Sequence, residues 1–185
     1  MLILIGKTAS GKDTISNKLI SEYGYKKLIT YTTRPIRKGE INDVTYHFVS
    51  DKEFKQKIKN NFFAEYKSYN TEFGTWHYGT ALEDLKKSDD KTLIILTPQG
   101  YRDIKDKLSN KSTTVYVQAS RHTIRKRLAN RGDNPHEAKR RLKHDNDDFK
   151  GIKKEVDIVI KNNLHSDINK VTNDIAHFVE ESIKR

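Results

Sequence analysis

The chain begins with a wholly apolar run, MLILI, and turns at once on glycine into Gly6-Lys7-Thr8-Ala9-Ser10-Gly11-Lys12. Behind it, Asp13 to Tyr23 sets Ile15, Leu19 and Ile20 on one helical face. A buried strand, a G-x-x-x-x-G-K turn and a helix, in that order, make a phosphate-binding loop. Gly6 and Gly11 let the backbone curl so that successive N–H groups point inward at phosphate oxygens. The helix N-terminus adds its partial positive charge, and Lys12 adds a full one at the outer phosphates of a nucleotide donor. Gly6, Ala9, Ser10, Gly11, Lys12, Asp13 and Thr14 are therefore the expected donor-phosphate residues, with Lys12 also catalytic. The hydroxyl residue that normally meets Mg²⁺ after the lysine is replaced by Asp13. A carboxylate also binds Mg²⁺ through oxygen, so Asp13 is the candidate metal ligand. The plainer alternative is a glycine turn with a capping aspartate at a helix start.

A chain of 185 residues makes one ordinary globular unit with a sizeable core. It has no apolar run near the eighteen or so residues that cross a membrane, and MLILI is too short for a signal peptide. The absence of cysteine excludes disulfides, iron–sulfur clusters and thiolate zinc sites. These features lead us to expect a cytoplasmic protein without a membrane partner. The net charge of +11 is compatible with anionic small molecules, nucleic acid or a solvated surface. Much of the excess is lysine scattered along helices, as at Lys52, Lys55, Lys57 and Lys59, so no nucleic-acid partner is expected.

Strand and helix signals alternate along the chain. Strands are expected at 1–5, 25–31, 92–96, 113–117 and 157–160, and an antiparallel patch over 62–78. Helices are expected at 13–23, 51–60, 80–87, 99–108, 121–130, 135–148 and 166–184. Ser50 with Glu53 makes a capping box for the second of these helices, and Ser120 caps the fifth. Alternation of this kind implies an α/β protein whose parallel sheet is wrapped on both faces. No repeat, low-complexity tract or Pro/Gly-rich linker interrupts it.

A second anion site is written into TYTTRPIRKGEINDVTYHFV, residues 30–49. Arg34 and Arg37 offer guanidinium forks, which grip phosphate bidentately, and the threonines and Tyr46 offer hydroxyls around a Gly39-Glu40 turn. This is the chemistry of a phosphomonoester site. Two phosphate sites on one small chain suggest a phosphoryl donor and a phosphoryl acceptor.

Taken together, these segments resemble the guanylate kinases, nucleoside-monophosphate kinases of the P-loop class, over nearly the whole chain. Thr32-Thr33-Arg34, Arg37, Gly39-Glu40 and Tyr46-His47-Phe48-Val49 follow that family's acceptor-phosphate segment in order. The resemblance implies a P-loop NTPase three-layer fold with a parallel central sheet. It also implies a single domain, 1–185, with core 1–31, 81–130 and 150–185, an inserted acceptor-binding subdomain 32–80 and a helical lid 131–149. Its activity would be phosphoryl transfer from ATP, with Mg²⁺, to a nucleoside 5′-monophosphate, GMP or dGMP first, in a monomer or homodimer. Glu65 aligns with the glutamate that reads guanine, where two acceptor oxygens meet N1–H and N2–H₂. Thr30 and Thr80 would lie near the base, and Tyr78, with Arg34, Arg37 and Tyr46, would hold the acceptor phosphate. Arg131 and Arg141 would be the lid's mobile arginines, joining Lys12 and Arg37 as catalytic groups. Arg127, Arg140, His136-Glu137 and His144-Asp145 carry the plainer expectation of solvated helix positions. Lys161-Asn162-Asn163 stands where the family lines the adenine edge.

Two departures from the family pattern stand out. Asn42-Asp43-Val44-Thr45 has no glycine where the family turns before the tyrosine, so that turn must be built differently. In LIILTPQG, Ile95 and Thr97 stand where the family carries aspartates that orient Mg²⁺ waters and help hold the nucleotide. A same-fold kinase for another phosphorylated acceptor (an unusual nucleotide or a sugar phosphate) stays open beside GMP. So does a non-catalytic binding module, although modules of that kind typically lose the phosphate loop.

Overall fold

Because MLILI is apolar at every position, the strand it forms needs cover on both faces, the condition of an inner strand in a parallel sheet. In the computed structural model Leu2–Ile5 is buried at all four positions and lies at the centre of such a sheet. The structure describes residues 1–37, 39–108, 112–132 and 134–184, leaving out the side chains of Glu137 and Arg141.

In chain order the elements are β1 (Leu2–Ile5), α1 (Lys12–Tyr23), β2 (Lys26–Lys27), β3 (Tyr31–Thr32), β4 (His47–Phe48) and α2 (Asp51–Lys59). There follow β5 (Phe63–Thr71), β6 (Gly74–Ala81), α3 (Leu82–Lys86), β7 (Thr92–Leu96) and α4 (Pro98–Ile104), with a 3₁₀ turn at Lys105–Lys107. The rest is β8 (Thr113–Gln118), α5 (Arg121–Arg131), α6 (Pro135–Asp148), a 3₁₀ turn at Ile152–Lys154, β9 (Ile158–Lys161) and α7 (Ile168–Ile183). Among the described residues no helix is long and apolar enough to cross a membrane.

The chain divides into two compact units. The first comprises residues 1–27, 89–99 and 109–185. Its five strands run in the order β2-β7-β1-β8-β9, all parallel. Leu2 and Leu4 of β1, Ile15 and Leu19 of α1, Leu93 of β7, Val115 and Val117 of β8 and Ile175 and Val179 of α7 form its core. Each such aliphatic side chain, taken from water, contributes about 1.5–3 kcal/mol. The C-terminal edge of this sheet opens into the Gly6–Lys12 loop.

The second unit comprises residues 28–88 and 100–108, around a four-stranded sheet in the order β4-β3-β6-β5. β5 and β6 form the antiparallel pair expected of residues 62–78, with Glu65 opposite Thr80. Ser50 and Glu53 close the capping box on α2. That cap orients Phe54, which is fully buried and stacks on Phe63 at 4.4 Å and on His77 at 5.3 Å.

Three expectations are corrected. Residues 25–31 are two short strands rather than one: β2 joins β7 in the first unit and β3 joins β6 in the second. The helix expected from Thr80 starts at Leu82, because Thr80 still pairs across to Glu65. The helix expected over 99–108 runs Pro98–Ile104 and tightens into 3₁₀ geometry.

Candidate functional site

Candidate groups gather at one place in each unit. In the first unit the loop after β1 closes on itself: Ser10 N–H donates to Lys7 O at 3.1 Å, and Lys12 Nζ donates to Lys7 O at 3.0 Å. Gly11 sits at φ 96°, and a Cβ there would lie 2.3 Å from Asn162 Nδ2. A Cβ at Gly6 would lie 2.5 Å from Ser10 Oγ and 2.7 Å from Val117 O. Both glycines are thus demanded by geometry. Ala9 takes φ 57°, in the left-handed region that side chains avoid, so the loop holds some strain.

Residues distant in sequence hold that strained turn. Arg127 Nη1 donates to Ala9 O at 3.3 Å and Ser10 O at 3.0 Å, and its Nη2 reaches Asn162 Oδ1 at 3.4 Å and Asn163 O at 3.3 Å. Asn162, 2% exposed, donates from Nδ2 to Ser10 O at 2.9 Å. Asn163 Oδ1 instead accepts from Ser120 N–H at 2.9 Å, at the start of α5. Outward carbonyls tied down in this way leave the loop amides for an anion. Arg127 was expected to be solvated; the structure makes it a brace, and it gives Asn162 a job that sequence spacing could not assign.

Burial lowers the Lys12 ammonium below its ordinary value, Asp13 and Asp145 pull it back up, and Arg131 adds to the lowering. Asp13 and Thr14 stand exposed on the first turn of α1, and Arg131 is exposed at the end of α5. Arg141 lies on α6, and its side chain falls outside the described set. Ser10 Oγ is fully buried with no hydrogen-bond partner among the described residues. Asp145, also expected to be solvated, instead turns into the loop and accepts the Thr8 N–H on Oδ2 at 2.7 Å. Asn146 Oδ1 beside it accepts from Lys7 Nζ at 2.7 Å.

In the second unit the expected arginine pair divides its work. Arg34 is 4% exposed; its Nη2 donates to Glu40 Oε1 and its Nη1 to Pro35 O, both at 2.7 Å. Tyr46 and Phe48 lie against the guanidinium at 5.6 Å each. Glu40 also accepts the Arg37 N–H at 2.7 Å, so one carboxylate ties both arginine positions, while the Arg37 side chain is exposed. Burial raises the Glu40 carboxyl, and the hydrogen bonds from Arg34 and Arg37 outweigh it, leaving the group below its ordinary range. The turn without glycine is made by Asp43, at φ 61°. Aspartate tolerates that conformation better than most side chains, and Asp43 Oδ1 meets His47 Nδ1 at 2.6 Å.

Glu65 and Thr80 face each other across the β5–β6 pair, where Thr80 Oγ1 donates to Glu65 Oε1 at 2.5 Å. Burial raises the Glu65 carboxyl; the Thr80 bond opposes this, Asp103 reinforces it and Lys67 opposes it. Tyr78 is partly buried, its ring 6.1 Å from Tyr46 and 5.8 Å from Tyr69. Thr30 is tied through its backbone, Thr30 O accepting from His47 N–H at 2.9 Å. Phe73 and Trp76 stack on each other, 6.3 Å apart, at the hairpin tip.

A Ser-His-Asp arrangement also occurs in this unit, from residues far apart in sequence. His77 Nδ1 lies 2.7 Å from Ser68 Oγ, and Nε2 lies 3.1 Å from Asp51 Oδ1. The ring nitrogens are reversed relative to a hydrolase triad, and the backbone explains the arrangement better. His77 O accepts from Thr33 N–H at 3.0 Å and Thr32 Oγ1 at 2.9 Å, and His77 N–H donates to Thr33 Oγ1 at 2.8 Å. Fixing this ring therefore fixes the Thr32-Thr33-Arg34 segment.

Known proteins resemble this chain in sequence and in architecture. A guanylate kinase of Sulfurimonas denitrificans is 35% identical over 122 residues, 63% of this chain and 57% of that protein. A guanylate kinase of Fusobacterium nucleatum is 28% identical over 188 residues, 100% of this chain and 97% of that protein. The crystal structure of guanylate kinase from Anaplasma phagocytophilum matches with a TM-score of 0.74 at 24% identity, over 100% of this chain and 86% of that one, which supports the P-loop NTPase fold. The family model described as guanylate kinase matches residues 1–182, and the chain belongs to that family.

Proposed function

We propose that the protein transfers a phosphoryl group from ATP to a nucleoside 5′-monophosphate, GMP or dGMP best, giving ADP and the diphosphate. The observation that carries the acceptor choice is the partly buried Glu65 carboxylate, oriented by Thr80 Oγ1 at 2.5 Å. Guanine presents N1–H and N2–H₂ side by side, two donors for two carboxylate oxygens. Adenine and the pyrimidines offer no such pair.

Phosphoryl transfer asks the protein mainly for positioning and charge neutralisation. Lys12 and the loop amides hold the donor phosphates, with Arg127 and Asn162 keeping the loop in shape. Arg37, Tyr46 and Tyr78 hold the acceptor phosphate, and Arg34, anchored by Glu40, fixes the segment and lends its charge. Thr30 lies by the base, and Arg131 and Arg141 neutralise charge on the transferring group.

Mg²⁺ is bound by one or two carboxylates together with nucleotide phosphates more often than by an all-protein cage. The described residues match that pattern: no group of three or more metal-ligating side chains occurs among them, and Asp13 is exposed beside Lys12. Asp13 is the residue that would hold the ion, which when bound neutralises phosphate charge. The enzyme acts in the cytoplasm as a monomer or homodimer, and without cysteine it has no disulfide that would call for an oxidising compartment.

A kinase of the same fold for another phosphorylated acceptor is the second reading. It is favoured by Ile95, which packs against the hydrophobic core instead of supplying a carboxylate. The test is ATP with each nucleoside monophosphate and with a sugar phosphate, following ADP release. GMP or dGMP is expected to lead; if AMP, CMP, UMP or the sugar phosphate outperforms both, the guanine assignment is wrong.

A further inference from the structure

Asp145 is the one carboxylate among the described residues that hydrogen-bonds an amide of the Gly6–Lys12 loop. Its 2.7 Å bond from the Thr8 N–H has the length of a charge-assisted hydrogen bond. Burial raises the Asp145 carboxyl above its ordinary range, while the Thr8 hydrogen bond and the attraction of Lys12 and Lys7 oppose that rise. Backbone N–H and ammonium groups are the partners a phosphate oxygen takes in such a loop. The same stretch of chain is pinned twice more. Asn146 accepts from Lys7 Nζ at 2.7 Å, and Phe149 packs on Tyr116 at 5.4 Å. Nothing in the helix pattern of α6 requires an acid here: a solvated aspartate would point away, and this one is partly buried against the loop instead.

We propose that Asp145 is a further residue of the donor site, its carboxylate standing on the Thr8 amide where a donor phosphate oxygen would bind, so that docking of α6 and binding of the donor compete. Two anions cannot share one amide and one pair of lysines without strong repulsion, so the donor must eject Asp145. Donor affinity is then lowered by the fraction of molecules with α6 docked, and Asp145 sets that fraction. The inference rests on the Gly6–Lys12 loop being the donor site.

The test is calorimetric titration of ADP, with and without Mg²⁺, into the full-length parent, Asp145→Asn and Asp145→Glu. Loss of a charge-assisted bond should release enough of the docked state to tighten ADP binding about tenfold in Asp145→Asn. Asp145→Glu keeps the charge on a longer, more flexible carboxylate that still reaches the Thr8 amide, so it should bind ADP less tightly than Asp145→Asn. Unchanged or weaker binding in Asp145→Asn overturns the proposal; weaker binding would make Asp145 a group that holds the bound donor or its metal. Equal tightening in Asp145→Asn and Asp145→Glu also overturns it, since the carboxylate would then not be what competes with the donor. A parent that binds no ADP would instead defeat the donor-site assignment itself.

Discussion

Glu65→Gln separates recognition from folding more cleanly than any other substitution in the acceptor unit. Glutamine keeps an oxygen for the Thr80 Oγ1 hydrogen bond, now at 2.5 Å, and keeps the shape of the side chain. It replaces the second acceptor oxygen with an NH₂ donor, which would face a guanine donor. One hydrogen bond to a charged group is lost, worth about 1.5–3 kcal/mol. At about 1.4 kcal/mol per decade, kcat/KM for GMP should fall about 10- to 150-fold. Discrimination against AMP should shrink by a similar factor, because AMP never used the pair. Stability should move the other way. Burial raises the Glu65 carboxyl above its ordinary 4.5, so the folded state prefers the protonated form. The associated stability is full below the ordinary glutamate range and is lost as pH rises through the raised value. At neutral pH the parent therefore carries an ionised carboxylate against burial, and a neutral glutamine should leave Tm equal or slightly higher. The same shift predicts that acidification weakens GMP binding in the parent, beginning above the ordinary glutamate range, with no such onset in Glu65→Gln. Steady-state kinetics with GMP and AMP across pH, together with a thermal melt, provide the assay. A GMP kcat/KM within twofold of the parent would refute the base-reading role, and a large drop in Tm would make Glu65 structural.

Lys12→Ala removes the charge facing the donor phosphates and should cut turnover by about 10²–10³, since electrostatic groups of this kind supply that much each. Parent-like turnover at a parent-like Tm would show that the loop is not catalytic. Asn162→Ala removes a buried donor from Ser10 O, a loss of about 1–3 kcal/mol that should lower Tm by several degrees and raise KM for ATP more than KM for GMP. An equal rise in both constants would mean that Asn162 supports the fold at large and not the loop.

What could be foreseen in this chain was local. TLIIL is legible as a buried strand because an unbroken apolar run of that length has little else to become, and it is β7 residue for residue. Ser50 with Glu53 announces a helix start through hydrogen bonds that span three residues. By contrast, nothing within residues 25–31 says that the chain leaves one sheet at Lys27 and enters another at Tyr31, since no glycine, proline, asparagine or aspartate interrupts YKKLITY. The strand through Thr80 is likewise prolonged by a partner fifteen positions away, against a local pattern that favours an earlier helix.

The candidate site divides along the same line. Gly6, Gly11 and Lys12 are legible because the loop builds its own geometry from consecutive residues, and both glycines are demanded there. What stiffens that loop is not consecutive with it: Arg127 and Asn162 arrive from α5 and from just beyond β9, through polar side chains whose local pattern marks them as surface. Arg34 makes the converse point. Its spacing with Arg37 reads as a phosphate clamp, yet Glu40 is close enough in sequence to claim it first. A carboxylate six residues on is chemically a phosphate surrogate, so a motif written for an anion is also a motif for a salt bridge. Asp145 does at the donor loop what Glu40 does at the acceptor segment. In each unit an internal carboxylate holds the cationic or amide groups that an external phosphate needs. Motif recognition therefore singled out the groups proposed to bind phosphate and could not say which anion holds them in the free protein, because that depends on contacts made after the chain has folded.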